Sequence, residues 1–147
     1  MSWLTQLPHK DSDTLMVCHE SNGVRSLTKQ GFTEQVTRLL ATLVEFNAEG
    51  VAYQLDNTPA WCVLEAALSE LKKVAIPLPT FFTAQQIAFG LQNSGAGLFV
   101  CDRAYEGEHA RLVALVDVCK HYPLYVYQLS NTQPVPYFAN TQKITFT

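Results

Sequence analysis

Few residues in this chain have the type and spacing to do chemistry. The four histidines, His9, His19, His109 and His121, show neither HxxxH nor HExxH spacing, so the paired imidazoles that a zinc hydrolase places on one helix face are not signalled. The cysteines Cys18, Cys62, Cys101 and Cys119 are scattered in apolar surroundings without a CxxC pair. That is the pattern of free thiols in a reducing compartment, not of a disulfide framework or a zinc site. Cys101 has no lysine or histidine adjacent in sequence to lower its pKa and reads as an inert core thiol. Asp102 ends a strand-like run, where open α/β sheets place ligand-facing groups, although a turn or capping carboxylate is the plainer reading. No residue is assigned a catalytic or metal-ligating role on these grounds.

The known phosphate and nucleophile motifs are missing too. Neither GxSxG nor GxGxxG occurs. "GLQNSGAG" has three glycines, but it follows a helix pattern and precedes a strand, the reverse of the order a phosphate cradle needs, so it reads as a helix stop and turn. Phe81 and Phe82 beside Pro79 suit either a greasy pocket or packing against the sheet edge, and packing is the plainer reading.

Bulk properties narrow the classes further. The 147 residues fit one domain, residues 1–147, and 48% hydrophobic against 16% charged residues is enough to build a core. A formal charge of −3 leaves no basic footprint for nucleic acid. The start "MSWLTQLPHKDSD" lacks the basic and apolar regions of a leader, and no run of apolar residues is long enough to span a bilayer. The expected location is cytoplasmic.

The elements that must position any site follow from periodicity. Two short apolar runs around Ser21-Asn22-Gly23 predict a hairpin over residues 14–27. From an N-cap at Thr28, Phe32, Val36, Leu39, Leu40, Leu43 and Phe46 recur at helical spacing, and "NAEG" with Gly50 is expected to close that helix. "VAYQL" reads as a strand running into a helix capped by Asn57 or Thr58, with Pro59 in its first turn and Trp61, Leu64, Leu68 and Leu71 on one face. "VAIPLP" is a strand that leaves the sheet at Pro77 to Pro79. Thr83 and Gln86 fit a capping box for a helix carrying Ile87, Phe89 and Leu91, which stops at "NSGAG". "LFVCD" is a strand, "HARLVALVDVCKH" a helix and "LYVYQL" a strand; a polar, proline-punctuated loop follows, and "QKITFT" closes as a short strand. Alternating strands and helices predict an α/β fold: three layers, a largely parallel sheet with helices on both faces, and an N-terminal hairpin.

The stretch from Gly50 to Asp102 resembles the N-terminal lobe of the adenylate-forming acyl-activating enzymes, the acyl-CoA synthetases and AMP-dependent ligases. The matching features are the strand Val51 to Leu55, Asn57 to Pro59, the valine-rich strand Val74 to Leu78, Thr83 opening a helix, and the turn Ser94 to Ala96. The upstream "GVRSLTKQGFTEQVTRLLATL" looks like the family's hairpin and first helix. One departure stands at Lys72-Lys73, where the family usually has Gly between helix and strand. A left-handed helix end costs other residues roughly 1 kcal/mol, so the local turn can differ there.

The resemblance implies that "KITFT" is the strand leading into the family's Ser/Thr/Gly-rich loop for the ATP phosphates, with Thr147 at the start of that loop. It implies a whole enzyme that joins a carboxylic acid to AMP with release of pyrophosphate, using ATP and Mg²⁺, and then passes the acyl group to CoA or an acyl carrier protein, as in fatty acid metabolism. The carboxylate pocket, adenine-binding segments, magnesium-binding glutamate and catalytic lysine would lie beyond Thr147. On this reading the chain is a truncated domain whose partner is the remainder of its own polypeptide; it is inactive alone, binds no cofactor and tends to self-associate. Two rivals remain: a freestanding α/β module that binds a small ligand or a protein, and a degenerate, noncatalytic homologue with a scaffold role.

Overall fold

The computed structural model describes residues 6–20, 23–103, 110–116 and 121–129, with backbone alone at 20, 110–116 and 121–123. The final strand and Thr147, with the proline-punctuated loop before them, lie outside these residues. So do Cys119 and His109.

The hairpin expected at the start forms from β1 (Thr14–Glu20) and β2 (Gly23–Thr28), antiparallel, with a register irregularity between Thr14 and Met16. Helix α1 (Lys29–Leu43) begins where predicted, the Thr28 hydroxyl accepting from the Gly31 amide at 3.1 Å. It ends earlier than "NAEG". Beyond Leu43 the chain tightens, Phe46 N–H donating to the Leu43 carbonyl at 3.1 Å, and this turn buries Phe46 outside the helix. Gly50 therefore opens the next strand instead of ending the helix.

Strand β3 (Gly50–Gln54), helix α2 (Pro59–Glu70), strand β4 (Val74–Pro77), helix α3 (Ala84–Ser94) and strand β5 (Leu98–Cys101) follow in the expected order. The capping box of α3 is complete: Gln86 N–H donates to the Thr83 hydroxyl at 3.2 Å, and Thr83 N–H donates to Gln86 Oε1 at 2.9 Å. Gly95, at φ 68°, ends α3 in the left-handed conformation that glycine adopts without strain. "GLQNSGAG" is a helix stop, as read from its position.

The join between α2 and β4 holds a backbone surprise. Lys72 adopts φ 55° and is the one non-glycine residue with positive φ among those described. The left-handed turn is thus kept although lysine occupies it. The next residue, Lys73, donates its ammonium to the carbonyls of Ala48 and Phe46 that follow α1, fastening this turn to the end of α1. Replacing Lys72 by glycine relieves the Cβ strain and is expected to raise unfolding free energy by about 1 kcal/mol. Chemical denaturation of K72G measures it, and a loss of stability would show that the turn is not strained.

One prediction from periodicity fails. Residues 110–116, expected in a helix, form strand β6 (Ala110–Val116), which pairs antiparallel with β7 (His121–Gln128) from Ala110 opposite Tyr127 to Val116 opposite His121. The apolar run within it, Leu112 to Val116, is too short for its period to separate helix from buried strand, and pairing with the adjacent β7 decides the matter. The result is a five-stranded mixed sheet in the order β4-β3-β5-β7-β6, beside the two-stranded hairpin sheet. It is parallel where β3 is flanked by β4 and β5, and antiparallel between β5, β7 and β6.

Alternate residues of the central strands feed two cores. Val51, Tyr53, Leu98, Val100, Leu124 and Val126 pack with Phe32, Val36 and Leu39 of α1 and Val63, Leu64 and Leu68 of α2. Ala52, Phe99, Cys101 and Tyr127 pack with Ile87 and Leu91 of α3 and with Leu78. Strand alternation accounts for this division, since successive side chains leave opposite faces of a sheet. No helix among the described residues is long and apolar enough to cross a membrane.

Candidate functional site

Three parallel strands end at the same edge, and the loops leaving β3 and β4 diverge there. The β3 loop leads into α2, which feeds one core; the β4 loop leads into α3, which feeds the other. Such divergence opens a crevice beyond the carboxyl ends of the strands, the place where open α/β sheets bind ligands. A cleft of about 640 Å³ lies here. Tyr53, Leu55, Asp56, Asn57 and Trp61 line it from the β3 side, and Pro77 through Phe81 from the β4 side.

The local sequence explains how each wall is held. Pro59 starts α2 at its first position, and Trp61 follows two residues on, at the flank of the buried stripe and 39% exposed instead of sharing the face of Leu64 and Leu68. Its indole Nε1 donates to the Tyr53 hydroxyl at 3.0 Å, and that hydroxyl in turn donates to Glu65. On the other wall, the buried Gln54 side chain donates to the Pro79 carbonyl at 2.9 Å, and Leu78 N–H to the Tyr53 carbonyl at 2.8 Å. The two lips are thereby tied to one strand. Phe81, 81% exposed, stands on the rim, whereas Phe82 packs against the α3-side core. The two phenylalanines divide between pocket and packing.

Burial pushes the Tyr53 hydroxyl up to about 12, the bond to Glu65 adding to the effect and the Trp61 bond opposing it. Because the folded pKa lies above the ordinary 10.0, the neutral phenol stabilises the fold fully below pH 10, and that contribution is lost as pH rises through about 12. The Y53F variant is expected to lose the network at neutral pH but to show less stability loss across that alkaline window. Denaturation titrated against pH reads this; equal alkaline loss in both proteins would refute it.

Asp102 does not line the cleft. Its Oδ2 accepts from the Asp56 N–H at 2.9 Å, which makes it a turn carboxylate joining the ends of β3 and β5. Arg103 sits 3.5 Å from Asp56 and 3.9 Å from Asp102 and balances the pair. Burial raises the Asp102 pKa, and the Asp56 amide pulls it back. Burial likewise drives the Cys101 thiol far up, and the thiol donates to the Arg103 carbonyl at 3.1 Å. This is the inert thiol that its sequence neighbours suggested.

Asn57 also lines two neighbouring hollows. One, of about 510 Å³, lies between β1 and the start of α2 and includes Cys18, His19 and Cys62; the other, of about 480 Å³, lies between α1 and α2 and includes Phe32, Trp61 and Glu65. Both thiols in the first hollow are free. The Cys62 pKa is raised by burial and then by Glu65, so it is not an activated nucleophile. Among the described residues no three His, Cys, Asp or Glu side chains come together as a metal site.

Among the described residues, the ionisable groups lining the 640 Å³ cleft are the Asp56 carboxylate and the Tyr53 phenol, with no lysine or arginine. Its residues therefore do not form a triphosphate-holding set, and no chemical step through ATP or Mg²⁺ follows from them. Sequence reasoning raised a pocket only at Phe81 and Phe82 beside Pro79 and missed the β3 wall of this cleft, because the cleft depends on which strands become neighbours. The available signal was the pair of strand ends, "DNTP" and "PLPT": Pro59 is the first residue of α2, and Pro79 lies in the loop between β4 and α3. Compared with known proteins, the chain matches no family model and no curated sequence.

Proposed function

We propose that the chain is the N-terminal part of an ATP-dependent acyl-activating ligase, a three-layer domain with helices on both faces of its sheet. The observation that carries the reading is the left-handed turn at Lys72, φ 55°, at the join where that family usually has glycine. A lysine held in this conformation supports a backbone shaped by the family's turn even where the residue has changed. The parallel order β4-β3-β5, the Asn57-Thr58-Pro59 helix start and the capped α3 agree with it. The two cores fed by alternate strand residues support the three-layer arrangement.

In the complete enzyme, acid and ATP would give acyl-AMP and pyrophosphate, and CoA or a carrier protein would accept the acyl group. Thr147 would begin the phosphate loop. Carboxylate-dependent ATP–pyrophosphate exchange tests the proposal: activity is expected from the product of the complete coding sequence and none from the 147-residue chain. Exchange by the short chain, or a reading frame that stops after Thr147, would overturn it.

The 640 Å³ cleft favours a second reading, a freestanding α/β module that binds a small ligand between its own loops. A coding sequence ending at Thr147, together with ligand-induced quenching of Trp61 fluorescence, would select it.

A further inference from the structure

The 640 Å³ cleft at the carboxyl ends of β3 and β4 has a chemical bias set by the donors it has already spent. The indole N–H of Trp61 goes to the Tyr53 hydroxyl, and that hydroxyl donates to Glu65. On the opposite wall Leu78 gives its amide to the Tyr53 carbonyl, and Pro77 and Pro79 have no N–H to give. Tyr53 and Trp61 therefore offer a guest ring surface, and Phe81, 81% exposed on the rim, offers nothing else.

The charges near the cleft point the same way. Arg103 reaches the Asp56 carboxylate at Oδ1 alone, 3.5 Å away, and leaves that side chain 53% exposed; its Oδ2 has no partner among the described residues. Arg103 is also shared with Asp102, 3.9 Å away, and Glu65 stands behind the Tyr53 hydroxyl. Three carboxylates thus stand against one guanidinium. An anion would meet this excess of negative charge with no lysine or arginine among the described lining residues to hold it. A neutral guest would cover a carboxylate without pairing it, which costs free energy. A cation meets both conditions.

We propose that the cleft binds an organic ammonium ion with an aromatic body, its charged nitrogen at Asp56 and its ring among Tyr53, Trp61 and Phe81. Ion pairing to a carboxylate and attraction to aromatic ring faces are the two interactions such a cation takes up. The cleft volume falls within the range of small-molecule sites. This inference rests on the small-ligand reading of the cleft and adds to it the class of ligand.

Three probes of one shape and different charge test it: 2-phenylethylammonium, 2-phenylethanol and 3-phenylpropionate. Each is titrated into the 147-residue chain at low salt, and the Trp61 indole N–H resonance reports binding. The ammonium ion is expected to bind about tenfold more tightly than the alcohol, and the carboxylate most weakly of the three. D56N is expected to erase the difference between ammonium ion and alcohol while leaving the alcohol's affinity unchanged. F81A is expected to weaken the ammonium ion roughly threefold. F89A, on a helix face outside the cleft, is expected to change nothing. Circular dichroism of each variant confirms that the fold persists. Tighter binding of the alcohol or the carboxylate, or a preference for the cation that survives D56N, would overturn the ligand class and leave the small-ligand reading standing. Failure of all three probes to bind at tens of millimolar would overturn both.

Discussion

F99A is expected to lower the unfolding free energy by about 3–5 kcal/mol. Phe99 lies on the central strand β5, wholly buried, its ring centroid 6.2 Å from that of Tyr127 and tilted by 32°. It fills the smaller of the two cores, where Ala52 supplies almost no side chain and Ile87 and Leu91 approach from α3. Truncation removes the transfer free energy of the ring and leaves a cavity that two strands, fixed by hydrogen bonds on both sides of β5, cannot collapse to fill. Against a total stability of about 5–15 kcal/mol, such a loss would leave a marginal fold. Urea denaturation at fixed temperature measures it. A change below about 1 kcal/mol would mean that the α3-side core is not close-packed.

Q35M is expected to move stability the other way, by about 1–3 kcal/mol upward. Gln35 is 1% exposed on α1, and neither its Nε2 nor its Oε1 has a hydrogen-bond partner among the described residues. A buried amide without partners bears its full desolvation cost, whereas methionine has similar length and helix propensity and carries no such cost. The sign distinguishes this from an ordinary core substitution. If Q35M proves less stable than the parent, the amide is held by a partner and contributes to the fold.

Several elements were legible because their signals are local. The Thr83 and Gln86 capping box needs only residues three apart, and Gly95 needs only its own backbone freedom. The strand Val51 to Leu55 could be read as buried because a central parallel strand is apolar on both faces, and all five of these residues are buried. Trp61 was placed on one face with Leu64, Leu68 and Leu71; it is exposed, since an apolar residue at the flank of a stripe has no local mark that tells it from one at the centre. The inert character of Cys101 was suggested by its neighbours, but the burial that raises its pKa is a property of the folded sheet.

By itself the sequence determined where the helices of the first hundred residues start, that β3 is mostly buried, and that no phosphate or metal motif is present among these residue types. Those facts depend on spacing within a few residues. Tertiary structure decided that residues 110–116 pair with β7 as a strand, that β4 and β5 flank β3, and that the loops after β3 and β4 diverge to form a cleft. Strand partners are chosen by contacts between residues far apart in the chain, and a short, mostly apolar segment satisfies its backbone equally well in a helix or against a neighbour until that neighbour is in place.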